Sequence, residues 1–401
     1  MGAGPARLVR FALLAVALAT VAAIVLLWPE DDRPELPSGL SADSEIAEVE
    51  AFTETACPGG TEGGACGEVT IRLETGPDEG ETAMIQLGDF GPPPPDLDVG
   101  DRIRVQAASD QSVPAEGVGG AAPPVEIEPA TSYFFVDFER RAPLLWLAIA
   151  FALLVVLFGR LRGALSLVGL AISLLIVLAF VVPAILAGEA PFAVAVAGAL
   201  AVMLVTIPLA HGLGGKSLAA MLGTSLALVL TALLALLFTE LADLTGYSFD
   251  EAITLQSAGI DISFEGLLLA GMVIGALGVL DDVTVSQAST VFALRRARPE
   301  ASAGENFSRA LDVGRDHLSA TVNTLVLAYV GAALPVLLIF GSSDVSFGNA
   351  VNLEVVAREV VAMLVGSIGL IAAVPITTAL AAWLAGSTPA TELDAEGAHP
   401  H

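Results

Sequence analysis

Charge is scarce in this sequence. Only 15% of its 401 residues are Asp, Glu, Lys or Arg, 55% are hydrophobic, and the mean hydropathy is +0.76. A soluble globular chain of this length needs more charged surface, so the composition excludes that class and selects an integral membrane protein. Positive charge is scarcer still: 17 Lys and Arg stand against 44 Asp and Glu, Lys216 is the single lysine, and the formal net charge is -27. That balance argues against nucleic acid as a partner. Membrane lipid, an ion or small molecule, an envelope partner or a second copy of the chain remain. Cysteine is limited to Cys57 and Cys66. Two cysteines with no His beside them make a poor metal site, and the metal question is otherwise open. In an oxidising compartment they would close a short Pro/Gly-rich loop as a disulfide.

Catalytic signatures are missing as well. Gly212-Leu-Gly-Gly-Lys216-Ser217 has part of a phosphate loop. Ala210, however, stands where the first glycine belongs, and an apolar span rather than a strand precedes it. No nucleophile elbow, zinc-protease helix or kinase set is present. The chain reads as a non-enzyme, and no cofactor is called for.

What is present is a series of apolar runs. Leu8 to Trp28 has the length of one bilayer crossing and follows Arg7 and Arg10. The run ends without a small-residue cleavage motif, so it reads as an uncleaved anchor, residues 1–28, with its N-terminus inside. From Pro143 seven more spans follow: Pro143 to Phe158, Ala164 to Leu186, Phe192 to Leu209, Ser217 to Phe238, Gly266 to Leu294, Leu318 to Phe340 and Val355 to Leu384. The expected fold is therefore an α-helical membrane bundle of about eight crossings, with residues 140–386 as its seven-span part. Arg160 and Arg162, His211 with Lys216, and Arg295, Arg296 and Arg298 fall on alternate connections, which puts those connections and both chain ends in the cytoplasm of a cell membrane. Arg140 and Arg141 are the exception. The acidic tail, residues 387–401, is expected to be disordered.

Between anchor and bundle, residues 29–139 change to Pro, Gly, acid and short alternating runs, the pattern of a small β-domain on the extracytoplasmic side. Strands are expected at Ile46 to Glu54, Glu68 to Thr75, Thr82 to Leu87, Asp101 to Gln106 and Val125 to Glu128. Five short strands suit a small barrel of OB type. Pro92 to Pro95 reads as a stiff loop and Gly117 to Pro124 as a flexible one.

Acid enters a long apolar run at one place only, Gly271 to Ser289. Gly271, Gly275, Gly278, Asp282, Ser286 and Ser289 step by three or four residues and share a helix face. Small residues permit close helix packing, and a carboxylate in hydrocarbon normally faces a partner, a cavity or water. The span carrying them is too long for one straight crossing, which leaves a break at the glycines or a strong tilt. Asp281 adjoins Asp282, and two adjacent carboxylates repel, a setting suited to proton exchange. The next span opens with Thr321, Asn323 and Thr324, and Asn323 is expected against Asp282 because a buried amide needs partners. Gly366, Gly369 and Pro375 in the last span read as packing and kink positions.

These residues also carry a resemblance. Gly275-Ala-Leu-Gly278-Val-Leu-Asp281-Asp282-Val with Ser286 and Ser289, Gly314-Arg-Asp-His-Leu with Asn323-Thr-Leu-Val-Leu-Ala-Tyr329, and Val365-Gly-Ser-Ile-Gly369 with Val374-Pro-Ile-Thr-Thr378 resemble the YibE/F-like family of bacterial membrane proteins, over Tyr133 to Leu384. The residue matching the family's acid is Asp282; Asp281 departs from an apolar position. The resemblance implies a multi-span protein, for which transport is commonly supposed. Two functions follow as expectations. One is a permease with Asp282, Asp281, Ser286, Ser289, Thr321, Asn323 and Thr324 as an ion site. The other is a scaffold or sensor whose outer domain binds an envelope partner.

Overall fold

The computed structural model describes residues 4–29, 44–56, 65–87, 96–107, 133–248, 250–257, 259–342 and 345–388. Cys57 and with it the expected disulfide, the strand at Val125 to Glu128, the loops Pro92 to Pro95 and Gly117 to Pro124, and the tail beyond Thr388 lie outside the described residues. The chain divides into two compact units, Leu36–Leu153 and Met1–Glu35 with Leu154–His401.

The first unit is a curled antiparallel sheet. Its strands are β1 (Glu45–Ala56), β2 (Ala65–Leu73), β3 (Thr82–Leu87), β4 (Arg102–Ala107) and β5 (Tyr133–Phe138), in the order β3-β2-β1-β4-β5. Alternation puts Val69, Ile71 and Leu73 of β2 and Ile103 and Val105 of β4 into one core with Val49 and Ile85. A bulge between Val49 and Ala51 bends β1, so that Glu45 to Glu48 pair with β4 while Ala47 to Ala56 pair with β2. The sheet thereby closes far enough to bring β3 beside β5, a half-barrel. β5 escapes the sequence pattern because its outward residues Phe134 and Val136 are as apolar as its inward ones.

Tyr133 ties β5 to the β2–β3 turn by donating its hydroxyl to Asp78 at 2.6 Å. Burial holds that hydroxyl above its usual range. It likewise holds the neighbouring Glu45 carboxyl above the ordinary carboxylate value. After β5, Arg140 pairs with Asp137 at 2.6 Å and Arg141 with Glu139 at 3.8 Å. Each of the two arginines that break the charge rule thus has an acidic partner within three residues.

The second unit is helical. It comprises α1 (Pro5–Leu26), most of α2 (Arg141–Ile176), a π-helical turn (Val177–Val181), α3 (Val182–Leu186), α4 (Pro191–His211), α5 (Gly215–Leu241), α6 (Asp250–Ser257), α7 (Phe264–Ala297), α8 (Ala303–Ala332), α9 (Leu334–Gly341), α10 (Phe347–Asn352) and α11 (Glu354–Ser387). Six helices among the described residues are long and apolar enough to cross a membrane, or seven when α8 and α9, bent by 64° at their junction, are taken as one span. Length and composition are thus compatible with a membrane bundle.

Within the run from Arg141 to Leu186, Arg160 leaves helical geometry at φ 51, ψ -132. The chain folds back there, since a Cβ on Gly163 would lie 2.2 Å from the carbonyl oxygen of Val155. In a straight helix residues eight apart are about 12 Å apart, so the break separates the two spans expected on either side of it.

The centre of the unit is α5, α7 and α11. α5 and α11 run antiparallel and clasp twice. A Cβ on Gly223 would lie 2.2 Å from Thr377 Oγ1, and one on Gly369 would lie 2.0 Å from Thr231 Oγ1. Each helix offers a glycine to the other's threonine, the close approach that small residues permit. α7 is continuous from Phe264 to Ala297, so its excess length is not relieved by a break at the glycines. Among the residues it buries are Leu277, Leu280, Thr284, Gln287 and Val291.

Candidate functional site

Which face α7 buries decides where the site residues fall. Leu280, Thr284, Gln287 and Val291 recur at helical spacing and are buried. Gly271, Gly275, Gly278, Asp282 and Ser286 occupy the opposite, exposed face. The expected packing role of those glycines is corrected: a Cβ on Gly271 or Gly278 would meet nothing within 4 Å, and one on Gly275 only the Tyr329 hydroxyl at 3.8 Å. Close packing is carried instead by Gly223, Gly369, and Gly314, whose Cβ would lie 2.8 Å from Gln287 Oε1. A Cβ on Gly366 would make an ordinary contact with Leu325, 3.6 Å away, and Pro375 lies inside an uninterrupted α11.

The glycine face borders open space. Gly271 lines a cavity of about 480 Å³ whose walls include Val181 of the π-helical turn, Ile185 of α3, Tyr329 of α8, and Arg358 and Glu359 of α11. Its lining is largely apolar, with one ion pair between Arg358 and Glu359 at 3.2 Å. Further along the same face stand Gly275, Gly278 and Asp282.

Asp281 has 17 residues of α7 before it and 16 after, so it sits at the helix midpoint. Its residue is half-buried, and its Oδ1 is buried without a hydrogen-bond partner among the described residues. Its backbone carbonyl accepts from Thr284 Oγ1 at 3.1 Å. Thr284 in turn shares a 2.5 Å hydroxyl contact with Thr224 of α5. One turn on, Gln287 donates Nε2 to the Ala310 carbonyl of α8 and to Thr378 Oγ1 of α11, both at 2.8 Å. Four helices therefore meet in a polar layer inside an otherwise apolar core, with Thr377 Oγ1 buried and without a hydrogen-bond partner among the described residues beside it. A polar group in such a place costs free energy unless it is hydrogen-bonded, so this layer fixes which helices face one another.

The other expected site residues are not gathered around Asp282. Asn323 is exposed and makes no hydrogen bond to Asp282. Thr321 and Thr324 donate to their own helix, at His317 and Ala320, at 2.9 and 3.0 Å. Ser286 is exposed, with its carbonyl accepting from Thr290. Ser289 is half-buried and borders a small void with His211, Lys216 and Ser217. Asn323 stays apart from Asp282 because α8 packs mainly on α11 and meets α7 on its buried side, through Asn306 to the Val291 carbonyl at 3.2 Å and Gln287 to the Ala310 carbonyl, whereas Asn323 and Asp282 are both exposed.

The model of the YibE/F-like protein family matches residues 147–387, more than half of the chain. The chain belongs to the YibE/F-like family. No curated protein and no solved structure was found to match it. Family and apolar helices together suggest that this YibE/F-like protein is a multi-pass membrane protein. The matched region contains all of the polar layer and both aspartates. Thr224, Thr284 and Gln287 went unnoticed in the sequence, although Gln287 is an amide inside an apolar run and carries the signal that singled out Asp282. The glycine stripe lies on the exposed side of the same helix and Gln287 on its buried side.

Proposed function

We propose that this YibE/F-like protein is a membrane permease in which Asp281 and Asp282 bind a cation or proton at mid-helix. The observation that carries the reading is the Asp281 carboxylate, with one oxygen buried and unpartnered at the centre of a 34-residue apolar helix. An ionisable group in such a position is costly and is kept where it pairs, carries a proton or lines a pathway. Asp282, one residue on, points about 100° away, toward the open glycine face. The pair would link the buried layer to that face. Ser286 continues the path along the open side, while Thr224 and Thr284 border it within the core. Asn323, Thr321 and Thr324 enter the site only if α8 moves toward α7, which the break between α8 and α9 would allow.

The topology proposed with this function has eight crossings, both termini in the cytoplasm, and residues 29–139 outside as an OB-like domain. Its support is the bend between α8 and α9, the fold-back at Arg160, and the strand order, in which β3 and β5 approach to close a five-stranded half-barrel. Membrane lipid is then the permanent partner. The decisive test is flux in proteoliposomes holding the full chain and a pH-sensitive dye, under imposed proton and cation gradients. Asp281→Asn is expected to abolish flux and Asp282→Asn to reduce it at least about tenfold, with both variants melting as the wild type does. Unchanged flux in both would end the permease reading and favour a scaffold whose outer domain holds an envelope partner.

A further inference from the structure

A second cavity, also of about 480 Å³, opens where α5 ends and α7 begins. Three carboxylates line it: Glu240 at the end of α5, Asp243 just after it, and Glu265 in the first turn of α7. None of the three makes an ion pair among the described residues, and no basic residue lines the cavity. Thr239 lines it too. That residue is 1% exposed, and its hydroxyl is buried with no hydrogen-bond partner among the described residues. The lining is also aromatic, with Tyr247 packed on Phe264 at 4.9 Å between ring centres and still 60% exposed.

The cavity is held in shape rather than left to a slack loop. Glu354 of α11 accepts from the backbone N–H of Thr245 and Gly246, at 2.8 and 2.6 Å, and from the Thr245 hydroxyl at 2.8 Å. Gly246, at φ +77, lies so close to α7 that a Cβ would come within 2.3 Å of the Phe264 carbonyl oxygen. Glu354 is thus spent on the loop, and the three other carboxylates are left facing the cavity. Asp243 itself holds a left-handed backbone at φ 49, a conformation that Asn and Asp tolerate better than other side chains.

We infer that this cavity binds an organic amine cation. Unpaired carboxylates select positive charge, and an exposed tyrosine ring adds attraction for a cation lying on its face. The volume fits a small molecule. No group of three acidic, His or Cys side chains among the described residues converges closely enough to hold a metal ion. The charge is spread around the walls, which suits a ligand with separated ammonium groups. The Thr239 hydroxyl, buried in the same wall, becomes an acceptor for one of its N–H groups once its side chain turns toward the cavity.

The inference is tested on the purified full chain in detergent, by calorimetric titration with spermidine at low ionic strength. No flux is read, so the outcome is independent of the permease reading, and Asp281→Asn should bind spermidine as the wild type does. One saturable site is expected, weakened at least about tenfold in the variant combining Glu240→Gln, Asp243→Asn and Glu265→Gln. Tyr247→Leu alone should weaken it about two- to fivefold. Asp243→Asn keeps a residue that tolerates the left-handed backbone, and Thr239→Val keeps the shape of the wall. These single changes, each expected to weaken binding at an unchanged melting temperature, serve if the triple variant misfolds. Absence of saturable binding, wild-type binding in the triple variant, or tighter binding of Mg2+ than of spermidine would each overturn the assignment.

Discussion

Replacing Gly369 by alanine puts the clasp between α5 and α11 to a direct test. Two effects oppose each other. Alanine in a helix interior is favoured over glycine by about 1 kcal/mol, so a Gly369→Ala change with room around it would stabilise the protein. Here the added Cβ would stand 2.0 Å from Thr231 Oγ1, 3.1 Å from its Cβ and 3.3 Å from its Cγ2. Thr231 cannot turn aside cheaply. It is 1% exposed, stiff at χ1 because it is β-branched, and its hydroxyl donates to the Ala227 carbonyl at 2.8 Å. The helices must part by about an ångström, and such overpacking costs about 1–3 kcal/mol. The clash wins, and Gly369→Ala should lower stability by about 1 kcal/mol. In a Thr231→Ala background the nearest remaining atom is the Cβ at 3.1 Å, which a small shift accommodates. The same change should there be neutral or favourable, a coupling of about 1–2 kcal/mol in the double-mutant cycle. Gly278→Ala is the control: its Cβ meets nothing within 4 Å, so it should be neutral or stabilising. The assay is unfolding of the detergent-solubilised full chain followed by far-ultraviolet circular dichroism. A Gly369→Ala protein as stable as the wild type, or a loss unchanged by Thr231→Ala, would refute the close approach.

Three further outcomes follow from the same contacts. Gln287→Leu removes both bonds to α8 and α11 and should cost about 1 kcal/mol in the same unfolding assay, whereas Thr324→Val, which loses only a bond within its own exposed helix, should stay within about 0.5 kcal/mol of wild type. Arg160→Gly should raise the melting temperature, because glycine adopts φ 51, ψ -132 without the roughly 1–3 kcal/mol that a side chain costs there, and Arg160→Ala should not. Glu139 is held below the ordinary carboxylate range by the Arg141 backbone N–H first and by Arg104 at 3.0 Å second. Its contribution is therefore complete above the ordinary value of about 4.3 and lost as pH falls through the lower folded value, so Glu139→Gln should make thermal stability less sensitive to acidification below about pH 4.

Much of this architecture is local and so was open to inspection in the chain alone. Long uncharged runs form the helices here, and period-two alternation placed β1, β3 and β4 within a residue or two and β2 within three. β5 was missed because Phe134 and Val136 face outward and erase the alternation on which such readings depend. The pause between two spans at residues 159–163 was likewise visible, and the fold-back at Arg160 lies there. The acidic interruption at Asp281 and Asp282 needed no coordinates either, since a carboxylate in an apolar run stands out by composition.

Tertiary contacts alone decided which side of α7 turns inward. Small residues with acids and serines on one face, and Leu280, Thr284 and Gln287 on the other, are both reasonable choices for a buried stripe. The balance was tipped by two other helices: Gly223 and Gly369 let α5 and α11 meet closely, and the seam they form takes Thr284 and Gln287 as hydrogen-bonding neighbours. The Gln287 amide and the Thr284 hydroxyl find partners on other helices, and no periodicity within α7 contains that information. The glycine face was left beside open space, with Asp281 half-buried at its margin and Asn323 exposed on another helix.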